Sequence, residues 1–495
     1  MRLLSALPAL PLASTLSLLT GCGLVSLPVD ESCPDSRRAV SGQCCPAWTV
    51  PDESGCAERT WSLPESAAGL GEAGVRSLAV SIDGSGRPAA TWIEGGPATS
   101  RVVVAEAAGG GFEQRYPAAA LPGEAAQPDV ALGPDGAAVA VWKQQLLGGE
   151  ARVFVAERES GGGWKDPASI EEAFSFAPTA FEPKARFFPS GERIVVWNQW
   201  MSTGYGVQLA TRRKGEDWHR PEEADDILSQ PVLFSNAPNI AVNERGDGLI
   251  SWYQSLGGSL LAWQSERFGP DGEFSRPGPE EHLSVPDTPV DSHPFANPKP
   301  ALSSAGDGAV VWTQEDGAGS VPVYIATRAP DGVWRRPASV EDALSTRPGY
   351  ARCPQPAFTP SGDLFVVWYQ DTGEGNRVVA AHRSPDGEWI EPGAEPTVLS
   401  TPGVEANGPV LVVGPEGSVL AVWSEQRGDG WVIAARRRGE SGTSWGPLEV
   451  LSVANGGPAV QPAAAIGGPG DAVVVGWIQG EGQGDRIYLA TMRGQ

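Results

Sequence analysis

The sequence is poor in lysine, histidine and methionine, and no segment of it has a sustained helical period. Five lysines stand against 31 arginines, and 60 acidic residues give a formal net charge of −24. Nucleic acids and anionic membranes need clustered positive charge for binding, so the composition argues against both. The acidic residues are spread without long runs, which is typical of a solvated surface. No phosphate-binding loop, nucleophile elbow or Cys–His pair is present, and we expect no cofactor.

One long apolar run occurs, at the N-terminus, and it is too short to cross a bilayer. A single positive charge, Arg2, precedes it, which is typical of a secretory signal, whereas about 20 apolar residues are needed to span a membrane. The run ends in Leu-Thr-Gly-Cys at residues 19–22, which resembles a bacterial lipobox. The resemblance implies a signal peptide over residues 1–21, lipidation of Cys22 and anchoring on a membrane surface, with Gly23 favouring the outer membrane or cell surface. An ordinary secretory signal is the alternative.

Cysteine is almost confined to the first 56 residues. After Cys22, four cysteines lie close together, which in an exported chain favours two disulfides. We expect them to form a small knob within a tether of residues 22–58. Their pairing stays open, although a bond between the two adjacent cysteines is disfavoured by strain, and a zinc site is the alternative. Cys353 is expected to be a buried, inert thiol. The four knob residues are Cys33, Cys44, Cys45 and Cys56.

Tryptophan recurs at intervals of 50–60 residues through the rest of the chain, and such a period indicates a repeat architecture. Each of these tryptophans follows an apolar run, and in seven copies a glycine stands six residues earlier. A second aromatic follows in seven copies after 20–22 residues, and Asp-Gly turns between apolar runs are typical of hairpins. Each unit is therefore predicted to form four antiparallel strands. The repeated tryptophans are Trp92, Trp142, Trp197, Trp252, Trp312, Trp368, Trp423 and Trp477.

The two ends of the repeat array predict a closed ring. The eighth unit ends before its second aromatic, and residues 60–64 match the outer-strand segment at residues 333–337. We therefore expect an all-β fold, an eight-bladed β-propeller of four-stranded blades over residues 59–495, closed by an N-terminal strand. A double propeller of two four-bladed rings is the architectural alternative.

The motifs around these tryptophans resemble those of exported bacterial propellers. Trp-x-Gln is followed by segments such as Ala-Thr-Arg at residues 326–328, and Asp-Gly-Glu-Trp at residues 386–389 resembles a degenerate Asp-box of sialidase-like propellers. The motifs specify a blade and not a reaction. A sialidase-like enzyme would need an arginine cluster, a tyrosine–glutamate nucleophile pair and an acid. Arginines instead recur at equivalent positions on successive blades, at Arg158, Arg213, Arg328 and Arg493.

A polar residue stands two positions after each repeated tryptophan, at the end of the predicted second strand. Its side chain shares a face with the tryptophan, so it is available either to a ligand or to the adjacent blade. Because a buried polar group needs a partner and all eight copies keep the position, the structural role is preferred. The ligand candidates at this position are Glu94, Gln144, Gln199, Gln254, Gln314, Gln370, Glu425 and Gln479.

Loops that differ between blades are where binding residues concentrate. The longest, residues 280–298, contains His282 and His293 with two aspartates between them, and we expect no metal there. Residues 171–183 are rich in phenylalanine, and a third loop contains Asp225, Asp226 and Phe234. We predict a monomeric, non-catalytic surface propeller that binds protein or glycan through its loop-rich face. The alternative is a sialidase-like glycoside hydrolase, which requires at least three arginines and two carboxylates to meet at the channel mouth.

Overall fold

The computed structural model describes residues 60–492, apart from 67–73, 97–99, 109–110, 116–120, 177, 202–203, 224–225, 231–233, 257–258, 286–287, 289–296, 346–348, 392–396, 429, 440–443 and 481–483. Before residue 60 only the backbone of three strand pairs is described. These are β1 (Ser14–Thr20) with β2 (Gly23–Val29), β3 (Ala39–Val40) with β4 (Gln43–Cys44), and β5 (Thr49–Asp52) with β6 (Gly55–Glu58). The predicted signal peptide, the lipidation of Cys22 and the four-cysteine knob lie outside the residues with described side chains, and they stay predictions.

Eight antiparallel sheets follow one another along the chain, after the short strand β7 (Glu65–Ser66). Blades 1 and 2 are β8 (Val75–Ile82), β9 (Pro88–Glu94), β10 (Arg101–Ala108) and β11 (Gly111–Arg115), then β12 (Glu124–Leu132), β13 (Ala138–Gln145), β14 (Ala151–Arg158) and β15 (Trp164–Lys165). Blades 3 and 4 are β16 (Ala180–Phe187), β17 (Arg193–Trp200) and β18 (Tyr205–Arg212), then β19 (Ser235–Val242), β20 (Gly248–Leu256) and β21 (Ser259–Arg267).

The second half of the ring repeats this plan. Blades 5 and 6 are β22 (Lys299–Leu302), β23 (Gly308–Thr313), β24 (Val323–Arg328) and β25 (Trp334–Arg335), then β26 (Ala351–Phe358), β27 (Leu364–Asp371), β28 (Asn376–Arg383) and β29 (Trp389–Glu391), with β30 (Thr397–Val398) also pairing with β28. Blades 7 and 8 are β31 (Ala406–Val413), β32 (Val419–Arg427), β33 (Gly430–Arg438) and β34 (Glu449–Val450), then β35 (Ala459–Gly467), β36 (Ala472–Gln479) and β37 (Arg486–Met492).

Glycine makes the tight turn between the first and second strands. At Gly136 the backbone has φ of 81° and at Gly417 it has φ of 82°, a left-handed conformation that glycine adopts without steric cost. The glycine that precedes seven of the repeated tryptophans by six residues is therefore the turn residue that the repeat predicted.

The core lies between the blades. All eight repeated tryptophans are 0% exposed, and each hydrophobic cluster of the described residues joins two successive blades. The cluster that completes the circle packs Trp92 and Val103 of blade 1 against Val474 and Ile487 of blade 8. This contact confirms one ring of eight blades and excludes two rings of four.

The N-terminal strand completes the last blade, as the sequence predicted. Glu65 and Ser66 of β7 pair with β37, and the backbone N–H of Ser62 donates to the carbonyl of Thr491 at 2.7 Å. The indole of Trp61 donates to Glu449 of blade 7 at 2.8 Å. Outer tryptophans elsewhere make the same contact with the preceding blade, as Trp164 does with Glu106 at 3.0 Å and Trp218 with Glu157 at 3.1 Å.

A repeated serine fastens the segment after the outer strand to the third strand. In blade 3 the Leu228 N–H donates to the Val207 carbonyl at 2.8 Å, and the Ser229 hydroxyl accepts from the Val207 N–H at 3.0 Å. Five further blades repeat the hydroxyl contact, through Ser175, Ser284, Ser345, Ser400 and Ser452. Two 3-10 turns, Ile170–Glu172 and Val340–Asp342, lie in such segments. In the described part of the chain no helix has the length and hydropathy of a membrane span.

Candidate functional site

The innermost strands of the eight blades surround the central axis of the ring. Each contacts its two neighbours, and β35 of blade 8 returns to β8 of blade 1. We call the loop face the side on which second strands end and the connections between blades emerge. The innermost strands begin there, since Ala180 at the start of β16 pairs with Gln199 near the end of β17. Side chains at the starts of these strands therefore lie at the channel mouth on the loop face.

A β-bulge interrupts the innermost strand at the same place in seven blades. The bulged residue has a left-handed backbone conformation. In six blades it is not glycine, and for such a residue this conformation costs about 1–3 kcal/mol. Bulges re-aim side chains, so each of these blades presents one side chain outside the regular alternation. The bulged residues are Ser77 (φ 58°), Gln127 (53°), Glu182 (55°), Ala237 (56°), Cys353 (53°), Gly408 (59°) and Gln461 (54°).

Glu182 links three blades at this ring. Its Oε2 accepts from the backbone N–H of Ala237 at 2.7 Å and from Asn198 Nδ2 at 3.1 Å. Its own backbone N–H donates to Gln127 Oε1 at 2.9 Å. Burial raises the pKa of the Glu182 carboxyl, against the opposing effects of the Ala237 N–H and the charge of Lys184. The channel mouth thus contains a carboxyl group that holds a proton more readily than a solvated glutamate does.

An amide and a phenol extend this network into blade 4. Asn236 Oδ1 accepts from Asn198 Nδ2 at 3.0 Å, and Asn236 Nδ2 donates to the Tyr253 hydroxyl at 3.1 Å. Burial, followed by the negative charge of Glu182, raises the pKa of Tyr253. The phenol therefore stays protonated at neutral pH, and the network offers donors and acceptors that suit hydroxyl groups.

Lys299 reaches the same region from blade 5. Its Nζ donates to Asn239 Oδ1 at 2.8 Å. Burial lowers the pKa of Lys299 to about 8, and the positive charges of Lys184 and Arg186 add to the decrease. These two residues belong to blade 3, and the innermost strand of blade 4 lies between them and Lys299. Asp129 of blade 2 opposes the shift, and its carboxylate accepts from Arg186 Nη1 at 3.1 Å.

A row of aromatic rings lies beside this network on blades 3 and 4. Phe181 and Trp200 contact Tyr205 with ring centroids 5.1 and 4.8 Å away, and Tyr205 lies 6.4 Å from Phe234. Phe234 stacks on Tyr253 at 6.0 Å. The first four rings are partly exposed, whereas Tyr253 is 2% exposed. We call these five residues the aromatic row. Apolar rings beside a few fixed polar groups are typical of ligand sites.

Blade 6 contributes a second aromatic group to the mouth. Tyr350 is half exposed, and the Arg352 guanidinium lies 5.9 Å from the centroid of its ring. Burial raises the pKa of Tyr369 to about 12 and that of the Cys353 thiol to about 11. Cys353 is partly exposed, so the expectation of full burial is wrong, because the residue lies at the channel bulge. Its high pKa agrees with an inert thiol, since the thiolate is the reactive form.

The ligand candidates after the repeated tryptophans have hydrogen-bond partners within the chain. Gln314 Nε2 donates to the carbonyls of Val285 and Thr288 at 2.8 Å each, and Gln479 Nε2 donates to Val453 at 2.7 Å. In six blades the tryptophan Nε1 donates to this side chain at 2.9–3.4 Å. The geometry favours the structural role, and ligand binding stays a prediction. The exposures are 1% for Gln144, 0% for Gln199, Gln254, Gln314 and Glu425, 7% for Gln370, 2% for Gln479 and 5% for Glu94.

The predicted loop histidines do not meet in the described residues. The His282 ring lies 5.9 Å from that of Trp263 on the third strand of blade 4, away from the channel, and burial lowers the pKa of its imidazole. His293 lies outside the described residues. No group of three His, Cys, Asp or Glu side chains suited to a metal occurs in the part of the chain that the structure describes.

The recurring arginines pair with other blades or turns. Arg158 contacts Glu106 of the preceding blade at 2.6 Å, and Arg328 forms an ion pair with Glu266 of the preceding blade. Arg213 lies 3.6 Å from Asp271, and Arg493 lies outside the described residues. The three described arginines pair with carboxylates of neighbouring blades and do not form one cluster.

A cleft of about 520 Å³ separates the rims of blades 3 and 4. Its arginines pair with carboxylates of the same cleft, as Arg267 does with Glu192 at 2.7 Å and Arg276 with Asp226 at 2.6 Å. Because its charges are largely compensated, the cleft is a weaker candidate than the channel mouth.

Sequence reasoning missed most of the channel-mouth residues. The two loops that it selected supply Phe181 and Phe234, but Glu182, Lys184 and Lys299 were not candidates. A usable signal was present. The residues beside the proline that blades 2–4 and 6–8 have in the innermost strand change from blade to blade, whereas the tryptophan and turn glycine recur.

No protein-family model matches the chain, and no curated protein matches it. Solved structures with similar folds include a protein of unknown function from Dyadobacter fermentans DSM 18053, with 13% identity over 74% of this chain and 95% of that chain and a TM-score of 0.41. A polysaccharide lyase described as an ulvan lyase has 11% identity over 72% and 90%, with a TM-score of 0.44. The Hadza microbial sialidase Hz136 has 13% identity over 59% and 63%, with a TM-score of 0.36. Two of these three proteins are named as glycan-active enzymes, and the similarity of this chain to them concerns the fold alone.

Proposed function

We propose that the protein is a non-catalytic, surface-anchored propeller that binds a glycan through the loop face. The aromatic row is the observation that carries the proposal. A sugar ring presents an apolar C–H face, which packs on aromatic rings, and a hydroxyl edge, which needs fixed donors and acceptors. The network of Glu182, Asn198 and Asn236 provides such groups next to Tyr253. The predicted lipid on Cys22 holds the propeller at the membrane surface.

A protein partner is the other ligand class that the sequence predicts. Protein interfaces bury about 800 Å² on each side and centre on exposed apolar patches. In the aromatic row, by contrast, four rings are partly exposed and Tyr253 is buried, and they lie beside the largely buried carboxyl of Glu182. This arrangement suits a small repeating unit that inserts between side chains, and it favours a glycan.

The test is binding of the full chain to an array of immobilised glycans. We expect retention of a set of related glycans, and we expect Tyr205→Leu to lose at least about 90% of the signal because it removes the central ring of the row. Phe268→Leu is the matched control, since this ring is exposed in the turn after β21, on the opposite face. Retention of no glycan, or equal retention by Tyr205→Leu, rejects the proposal. Binding of a protein and no glycan also rejects it.

A sialidase-like hydrolase remains the second candidate, on one observation. The negative charge of Glu182 contributes to the raised pKa of Tyr253, so a carboxylate and a phenol lie near each other at the channel mouth. An aryl sialoside is the probe, and release of the aryl group by the full chain would favour the hydrolase. Tyr253→Phe must then abolish release while leaving binding on the array intact. Binding without release favours the non-catalytic role.

A further inference from the structure

Two lysines on innermost strands have no carboxylate within 4.0 Å in the described part of the chain, namely Lys184 and Lys299. For its three ammonium protons Lys299 has one acceptor among the described residues, Asn239 Oδ1. The chain contains five lysines and has a formal net charge of −24. Two lysines without a contacting carboxylate, within such an acidic protein, therefore require an explanation.

Lys184 and Lys299 occupy equivalent positions on the innermost strands of blades 3 and 5, each paired with the residue before the repeated tryptophan, and Asn239 holds the same position on the strand between them. Lys184 and Arg186 on blade 3 both act on Lys299, which lies two blades away. The carboxylate that opposes them, Asp129, already accepts from the Ala185 N–H at 3.1 Å and from Arg186 Nη1 at 3.1 Å. Like charges repel more strongly where protein replaces water, and this repulsion adds to burial, which is the first cause of the low pKa of Lys299. An anion between the three cations would offset the repulsion.

We propose that Lys184, Arg186 and Lys299 form an oxyanion site at the channel mouth, which takes a carboxylate or sulfate group. Three cations on two blades would fix the position of such a group, and the hydrogen bond to Asn239 on the intervening blade holds the Lys299 ammonium in place. The group is either a free anion or an acidic substituent of a glycan. In the second case the site deepens the proposed function, because it selects acidic glycans, whereas in the first case it is independent of it.

The test is the thermal midpoint of the full chain during titration with sodium sulfate, in sodium chloride adjusted to constant ionic strength. Sulfate also stabilises proteins by exclusion from their surface, without saturation, so saturation is the diagnostic feature. We expect a saturable rise for the wild-type chain, loss of this rise in Lys299→Met, and its retention in Lys299→Arg. Lys165→Met is the matched control, since this lysine is exposed on the outer strand of blade 2. A linear rise, or an unchanged titration in Lys299→Met, overturns the proposal.

A second measurement needs no variant. A bound anion raises the pKa of an adjacent amine, so sulfate should slow acetylation of Lys299 at pH 8 by about five-fold, as read by mass spectrometry, and leave Lys165 unchanged. Equal rates for Lys299 with and without sulfate overturn the proposal even if the variants fail to fold.

Further experiments identify the source of the anion and distinguish the anion-site proposal from the glycan-binding proposal. If the rise in thermal midpoint saturates with galacturonic acid at a tenth or less of the concentration that acetate requires, the anion belongs to an acidic sugar. Equal saturating concentrations indicate a free anion. Tyr205→Leu should lose glycan retention and keep the sulfate titration. A sulfate response without glycan binding therefore upholds the anion site and rejects the glycan role, and glycan binding without a sulfate response does the reverse.

Discussion

Two arcs of the channel wall differ in chemistry, although in both arcs the wall is built by the innermost strand of each blade. The residue of the innermost strand that pairs with the residue before the repeated tryptophan is polar in blades 2–6 and apolar in blades 7, 8 and 1. Neighbours in a repeat protein share a scaffold, so variation at one repeated position is free to serve a ligand. The polar arc is Asp129, Lys184, Asn239, Lys299 and Gln355, and the apolar arc is Val410, Ala463 and Ala79.

The largest predicted effect tests whether the blades of the polar arc and those of the apolar arc have the same structural core. Trp252 of the polar arc and Trp477 of the apolar arc are 0% exposed, and each donates to its Gln partner at 3.0 Å. Replacement of either by alanine should lower the free energy of unfolding by about 3–5 kcal/mol, because each leaves a large core cavity. Urea unfolding measures both. Costs that differ by more than about 2 kcal/mol would show that the arcs differ in scaffold as well as in chemistry.

The next effect belongs to the polar arc alone. The pKa of Lys299 is about 8 in the folded chain against 10.5 for an ordinary lysine. Between pH 8 and 10.5 the unfolded chain therefore binds more protons, and the free energy of unfolding should rise with pH relative to Lys299→Met, by roughly 2 kcal/mol after allowance for its partial exposure. Melting curves of the two proteins at pH 7 and pH 10.5 give this difference. No change in the difference contradicts the lowered pKa, and Lys165→Met serves as the solvated control.

The smallest effect should again be shared by the two arcs. Gln314 and Gln479 make matching bonds, since each accepts from a loop N–H, at 3.1 Å from Val285 and at 3.0 Å from Val453, and each donates to loop carbonyls. Replacement of either by methionine should lower the free energy of unfolding by about 1–2 kcal/mol, because the loop groups lose their partners. Denaturant midpoints measure the cost. If Gln314→Met alone also abolishes glycan retention, these amides are ligand residues after all.

The scaffold was predictable from the sequence because it repeats. The spacing of the tryptophans, the turn glycine at positions such as Gly136 and the match between Trp61 and Trp334 each report a local requirement that every blade shares. The amide after the tryptophan has the kind of partner within the chain that its preferred structural role requires, since Gln254 accepts from the indole of Trp252 at 3.0 Å, and ligand binding at this position stays a prediction.

The site was not predictable to the same extent, because it forms where different blades meet. Lys184 and Lys299 lie 115 positions apart in the sequence, with one whole blade between them. Their proximity follows from the closure of the ring and, for Lys184, from the bulge in its strand. The one local sequence feature that marks this bulge is the proline that follows it. The sequence match between outer strands likewise did not predict the hydrogen bond of Trp61 to Glu449 of blade 7.

The seam between β7 and β37 has a mechanical consequence. The chain joins the ring at the outer edge of blade 8, so any preceding segment leaves from the rim and neither opening of the channel is obstructed at that junction. Tension along such a segment would load the Ser62–Thr491 hydrogen bonds together with the two pairs of β7, as a shear force along the strands. The indole of Trp61, held by Glu449, adds an anchor on the neighbouring blade and spreads that load over two sheets.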